Sequence, residues 1–309
     1  MFLHRNHIMN RSREAVIALI VLSTLVTMSL SSTPLRALVV GGTSGIGHGI
    51  ALALAKRGDV EVTIAGRSAE RGASIVEQLN GVSSSKQNHK FVAVDGFNLQ
   101  SVKALATSSQ PAPDILVMTQ GMATLQGYTP TIKDGLDQKL QLHYFSRFYL
   151  TSLLAPTMKP NARVLTVLSA GVHGKYKGYD KDFELKNNSS YSIKNAADAA
   201  GYYTDAGLEA LSEQNPELVM AHAAPGMVNT NWGTEFPAVL RVMVVRPMMS
   251  LFGKNKEDLG ETLVSSLMKL SKGYSLLDQK GAVIENGMKH TREERDAILE
   301  KTLAILPDL

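Results

Sequence analysis

The stretch that most constrains this chain is GGTSGIG, Gly41 to Gly47, set between a short apolar run and an amphipathic one. Before it, Leu35 to Val40 is apolar apart from Arg36, the character of a strand buried on both faces of a parallel sheet. After it, HGIALALAKRG carries Ile50, Leu52, Ala53 and Leu54 at spacings that suit a helix ended by Gly58. A glycine turn joining such a strand to such a helix lets the backbone approach a pyrophosphate whose charge sits at the helix N-terminus. A plain structural turn could share the composition. Its position directly after the first strand is what favours a dinucleotide.

The alternation continues. Val60 to Ala65 reads as a second strand, Ala69 to Leu79 as a second helix, Phe91 to Val94 as a third strand and Ile115 to Met118 as a fourth. Ile132 to Leu154 reads as a long helix, Arg163 to Leu168 as a fifth strand, Ser192 to Glu213 as a helix and Leu218 to Ala223 as a sixth strand. Helices near Lys256 to Ser271 and Glu293 to Leu306 close the chain. Strands and helices alternating at this spacing predict an α/β fold, a doubly wound parallel sheet of the Rossmann kind, in one domain over 33–309.

The basic residues, 32 Lys and Arg against 28 Asp and Glu, are scattered and lack interleaved aromatics, which argues against nucleic acid as a partner. With no cysteine there is no disulfide and no thiolate nucleophile or metal site, and no metal is expected. Residues 1–32 differ from the rest: Ala15 to Leu30 is uncharged, with Arg5, Arg11 and Arg13 just before it. As a helix it would reach only about 24 to 27 Å, near the lower limit for a bilayer. It reads as a membrane anchor, which would place the protein on a membrane such as the endoplasmic reticulum. A cleaved signal peptide, or an apolar helix packed on a cytoplasmic domain, fits the same residues. Asn187 and Asn188 each begin an N-x-Ser/Thr sequon, relevant only to a lumenal domain.

GGTSGIG resembles the TGxxxGIG turn of the short-chain dehydrogenase/reductase family, with Gly42 in the threonine position. The resemblance implies that Gly41, Thr43, Ser44, Gly45, Ile46 and Gly47 cradle the phosphates of a nicotinamide dinucleotide. An acid at the end of the second strand would bind the ribose of NAD, whereas the chain has Ala65-Gly66-Arg67-Ser68, so Arg67 favours NADP(H), with NAD(H) as the alternative. Arg67 as a solvated surface side chain is the plain reading. Asp95 resembles the family aspartate that faces adenine, or else caps a helix. Gln120-Gly121 stands where the family carries Asn-Ala-Gly, and Gly121 is kept for cofactor approach. Pro225-Gly226-Met227-Val228-Asn229-Thr230 matches the family's Pro-Gly-x-Val-x-Thr. It implies that Pro225, Gly226, Val228 and Thr230 line the nicotinamide.

Hydride transfer to a ketone needs a proton donor, in this family a tyrosine whose pKa a lysine lowers. Ser169, in TVLSAG, matches the serine that holds the carbonyl. The family's Tyr-x-x-x-Lys is irregular here. Tyr191 and Lys194 are three apart and would share a face if the helix begins by Tyr191, while Tyr203 resembles the motif locally but has Gly207 where the lysine belongs. The spacing to Pro225 favours Tyr191 and Lys194. His143 replaces an asparagine of the family's water relay and could serve it, add a pH dependence, or be structural. The apolar, methionine-rich segment from Trp232 to Phe252 stands where the family has its substrate lid, and reads equally as an apolar helix or a membrane-facing patch. The implied function is an NADP(H)-dependent oxidoreductase that interconverts a carbonyl and an alcohol on a lipophilic small molecule, in a monomer or a homo-oligomer. The alternative is a dinucleotide-binding regulatory protein with a degenerate site.

Overall fold

Seven strands, hydrogen-bonded side by side and all parallel, run in the order 3-2-1-4-5-6-7. The computed structural model describes residues 33–307 apart from 86, 188, 190 and most of 229–252, where Val239, Met243 and Pro247 are described. Leu35 to Leu309 forms one compact unit. The strands are β1 (Leu35–Val40), β2 (Val60–Gly66), β3 (Lys90–Ala93), β4 (Ile115–Met118), β5 (Arg163–Val167), β6 (Val219–Ala223) and β7 (Gly273–Leu277). The helices are α1 (Gly45–Lys56), α2 (Ala69–Val82), α3 (Leu99–Ser108), α4 (138–154), α5 (Ile193–Gln214), α6 (Lys256–Lys269) and α7 (Arg292–Ile305).

Alternation along the strands separates two apolar layers. Ala37, Val39, Ile115, Val117, Leu165 and Val167 face α1, α2 and α6, through Ile50, Leu54, Leu79, Leu263 and Leu267. Leu38, Val40, Leu116, Met118 and Val164 face the other layer, where α3, α4, α5 and α7 supply Leu105, Tyr144, Phe148, Tyr203 and Ile298. Burial on both faces explains why β4 and the last four residues of β1 read as unbroken apolar runs. Because β1 sits between β2 and β4, the direction of winding reverses there. The carboxyl ends of β1 and β4, paired through Val40 and Met118, open a crevice at that switch point.

Two elements differ from the sequence reading. The helix expected from Ile132 begins at Gln138, because Asp137 caps it through bonds from Lys139 N at 3.0 Å and Leu140 N at 3.2 Å. Ile132 lies in the preceding turn, 99% exposed. The second is β7, which extends the sheet in parallel beside β6. Its sequence, GYSLL, is half-buried at the sheet edge and has neither a continuous apolar run nor clean alternation.

Candidate functional site

The glycine turn lies on the carboxyl end of β4. Gly41 has φ +84°, and a Cβ there would stand 2.6 Å from Gln120 N. A Cβ on Gly47 would stand 2.3 Å from Thr119 Oγ1 and 2.5 Å from Gly41 O. Only glycine fits either place. Thr119 Oγ1 in turn donates to Val40 O at 3.2 Å, tying the turn to both strands. The helix that leaves the turn is unusual in its cap. Ser68, Asn98, Asp137, Ser192, Asn255 and Thr291 each accept a first-turn N–H of α2, α3, α4, α5, α6 and α7, whereas Ser44 makes no such bond at α1. The first turn of α1 also holds no acidic residue. Its N–H groups and positive dipole end are therefore left for an anion, the arrangement a pyrophosphate requires.

At the end of β2, Arg67 is exposed and lies over the Phe97 ring, 5.3 Å from its centroid. No carboxylate pairs with it among the described residues. Thr43 leans over the same strand end, 3.1 Å from where a Gly66 Cβ would be. Asp95 accepts from Phe97 N at 3.0 Å, and the cap of α3 is Asn98, so Asp95 is a turn residue with its carboxylate on the surface.

Gln141–Phe145 is a single π-turn inside α4, and it carries His143 under the segment that follows β4. His143 Nε2 accepts from Met122 N at 3.0 Å and lies 3.1 Å from where a Gly121 Cβ would be. Burial, with the Arg147 and Lys139 cations beside it, lowers its pKa to about 3. It is thus neutral at working pH and holds this segment in place. Arg147, its own pKa lowered by burial to about 9, straps two strand ends by donating to Gln120 O and, at 2.9 Å, to Val167 O.

Ser169 follows β5. Its amide donates to His222 Nε2 at 3.0 Å, while its hydroxyl is buried without a hydrogen-bond partner. Since Nε2 must accept, the His222 hydrogen is on Nδ1, which donates to Asp205 Oδ1 at 2.5 Å. Tyr274 OH donates to the same oxygen at 2.8 Å, and Asp205 Oδ2 meets His173 Nε2 at 2.7 Å and Gly171 N at 3.1 Å. Burial opposes ionisation of Asp205, but the hydrogen bonds from His222 and His173 hold its carboxyl well below the usual carboxylate range. One carboxylate on α5 thus gathers four donors from the β5 loop, β6 and β7. From α5, Gly201 faces Ser169: a Cβ there would stand 2.4 Å from Ser169 Oγ and 2.5 Å from His173 Cδ2.

Tyr191 and Lys194 take separate partners. Tyr191 precedes the extended N-cap Ser192, so it is outside α5 and helical spacing to Lys194 does not apply. Its hydroxyl donates to Asp137 Oδ2 at 3.2 Å, and Lys139 lies over its ring at 5.3 Å. Burial, then the Asp137 carboxylate, raise its pKa. Lys194 is exposed and pairs with Asp198. Tyr203 is a core residue, stacked on Phe183 at 4.3 Å and donating to Phe183 O at 3.2 Å. After β6, Gly226 has φ +68° and Val228 is buried, while Pro225 is half-buried. Thr230, the N-terminal segment Ala15 to Leu30 and most of the expected lid lie outside the described residues.

The sequence model described as short chain dehydrogenase matches residues 36–180. Oxidoreductase AN1596 of Emericella nidulans is 30% identical over 81% of this chain and 78% of its own length. The chain belongs to the short-chain dehydrogenase/reductase family. Dehydrogenase/reductase SDR family member 13 of Homo sapiens is 39% identical over 43% of this chain and 35% of its own. Among solved structures, a short chain dehydrogenase of Shigella flexneri 2a complexed with NADP covers 79% of this chain and 96% of its own at 19% identity, with a TM-score of 0.58.

The Ser169 environment is built by Asp205, His173, His222 and Tyr274, none of which the sequence reading singled out. The apolar flanks of His222, in VMAHA, gave one signal: a histidine in a buried strand requires a partner for each ring nitrogen.

Proposed function

We propose that this chain is an NADP(H)-dependent oxidoreductase that interconverts a carbonyl and an alcohol on a hydrophobic small molecule. The observation that carries it is the uncapped N-terminus of α1, set at the switch point under a turn where only glycine fits at positions 41 and 47. Gly41, Thr43, Ser44, Gly45, Ile46 and Gly47 would hold the pyrophosphate and Arg67 the 2′-phosphate. Asp95 would lie toward the adenine end, with Gly121, Pro225, Gly226, Val228 and Thr230 toward the nicotinamide. The cofactor supplies or accepts the hydride. The buried, unpartnered hydroxyl of Ser169 would be satisfied by a substrate oxygen. A greasy substrate is supported by Leu125, Val172 and Met227, exposed apolar residues on the segments that follow β4, β5 and β6 at the same edge of the sheet.

The source of the proton separates two readings. Tyr191 could supply it only by leaving Asp137, and its raised pKa is opposite to the lowered value that a tyrosine acid uses. Gly201, facing Ser169 from α5, favours a second reading in which the chain binds the dinucleotide without turning substrate over. NADPH oxidation against a panel of lipophilic ketones, at protein concentrations that saturate with cofactor, separates the two. Turnover lost in Tyr191→Phe would establish the acid, while binding with no oxidation of any ketone would support the second reading.

We propose further that residues 1–32 tether the protein to a membrane. Among the described residues no helix is long and apolar enough to cross one. Retention of the full chain in the pellet on alkaline carbonate extraction is the expected result, and release of the uncleaved chain would contradict it.

A further inference from the structure

An exposed arginine at the end of β2 is common enough; an exposed arginine already parked on an aromatic ring is a more specific arrangement. Arg67 leaves β2 at the edge of the crevice, and Phe97, in the turn between β3 and α3, offers its face to the guanidinium at 5.3 Å. The turn that carries Phe97 is itself fixed. Asp95 Oδ1 accepts from Phe97 N at 3.0 Å, Asp95 N donates to Ser101 Oγ at 3.0 Å, and Asn98 caps α3 through Gln100 N at 3.0 Å. The backbone that carries the ring is therefore fixed on both sides, independently of the arginine.

Stacking on a face and pairing with an acid have opposite consequences for a guanidinium. A carboxylate would take the in-plane N–H donors, the ones that bind phosphate two at a time. An aromatic face takes the π surface and leaves those donors outward. Among the described residues Arg67 has no carboxylate partner and Ser68, its neighbour, spends its hydroxyl on Arg71 N as the cap of α2. Thr43 stands over the same strand end from the glycine turn. An arginine side chain free in water carries about 2 kcal/mol of rotamer entropy that binding must remove; a ring that already restricts it lowers that cost.

We infer that Phe97 is a positioning residue for cofactor discrimination: it holds Arg67 in the pose that receives the 2′-phosphate, and so sets the preference for NADP(H) over NAD(H). The inference rests on the proposed role of Arg67. It concerns the part of the ligand that the two cofactors do not share. An effect confined to that phosphate is what distinguishes positioning from support of the fold.

The test is calorimetric titration of the folded protein with NADPH and with NADH. Phe97→Ala and Phe97→Leu should weaken NADPH by about 2- to 5-fold, the worth of an exposed cation–π contact, and leave NADH nearly unchanged. Phe97→Trp, which keeps a face for the guanidinium, should retain the NADPH affinity. In an Arg67→Ala background, Phe97→Ala should add nothing further. Equal loss for both cofactors would assign Phe97 to the shared adenosine instead, and no change in Phe97→Ala would remove its role, each overturning the inference while leaving Arg67 intact. Equal affinities of the unaltered protein for both cofactors, or binding of neither, would overturn the Arg67 reading and this inference with it.

Discussion

The half of the sheet that carries the glycine turn, β1 to β4, and the half around β5, α5 and β6 obey different logic. In the first, the site is a turn: seven consecutive residues, a strand end and a helix start, all determined within a few positions of one another. In the second, the site is a meeting place, where Ser169, Gly201, Asp205, His222 and Tyr274 come from four separate stretches, Gly201 and Asp205 sharing α5. The difference teaches that a tight glycine turn can be recognised from local chain chemistry. A buried hydrogen-bond network depends on which faces of distant elements meet.

The largest effect that would sharpen this comparison is expected at Asp205. Replacing it by alanine strands four buried donors, and breaking a buried charged network typically costs about 3–5 kcal/mol. Urea denaturation should register that loss, while the protein that remains folded should still bind NADPH; failure of cofactor binding in folded Asp205→Ala would show that the two halves are one unit. The pH dependence has a definite sign. The folded-state pKa of Asp205 is depressed, so its stabilisation is complete above the unfolded carboxylate value near 3.9 and is lost as pH falls below it. The acid limb of stability in the unaltered protein should therefore be steeper than in Asp205→Ala. Parallel limbs would remove Asp205 as the group responsible.

A smaller effect, confined to the other half, is expected from Gly47→Ala. The added Cβ would meet Gly41 O, a backbone atom that cannot rotate away, and overpacking of this kind costs about 1–3 kcal/mol. Dinucleotide affinity should fall by roughly 5- to 150-fold on that basis. Binding at full strength would mean that the turn is structural and the ligand lies elsewhere.

Smaller still is the change expected from Tyr191→Phe, about 0.5 to 1.5 kcal/mol of stability, because Asp137 keeps its bonds from Thr129 N, Lys139 N and Leu140 N when the tyrosine hydroxyl is lost. NADPH affinity should hardly move. Burial and Asp137 raise the Tyr191 pKa, so the ultraviolet titration of the unaltered protein minus that of Tyr191→Phe should show no ionisation below about pH 10. A tyrosine titrating near neutrality in that difference would restore Tyr191 as an acid poised for catalysis.

What could be read from the chain follows the same division. Leu38 and Val40, Leu116 and Met118 announced buried parallel strands because both faces are covered. Gly41 and Gly47 announced a tight glycine turn because their backbone neighbours are local or one strand away. Tyr191 misled because three-residue spacing implies a shared face only within a helix, and Ser192 starts the helix one residue too late. Ile132 misled in the same way, an apolar residue exposed ahead of a cap formed by Asp137. Asp205 was silent because nothing in YTDAGLEAL shows that this aspartate lies beneath two histidines contributed from 32 residues before and 17 after it.

The central claim, that the crevice at the switch point takes a dinucleotide and prefers the one with the 2′-phosphate, is tested most directly by titrating the purified protein with NADPH and NADH, with Arg67→Ala alongside. The account predicts that both bind, that NADPH binds more tightly, and that Arg67→Ala brings NADPH down to the affinity of NADH while leaving NADH unaffected. Failure of the folded protein to bind either nucleotide would contradict it.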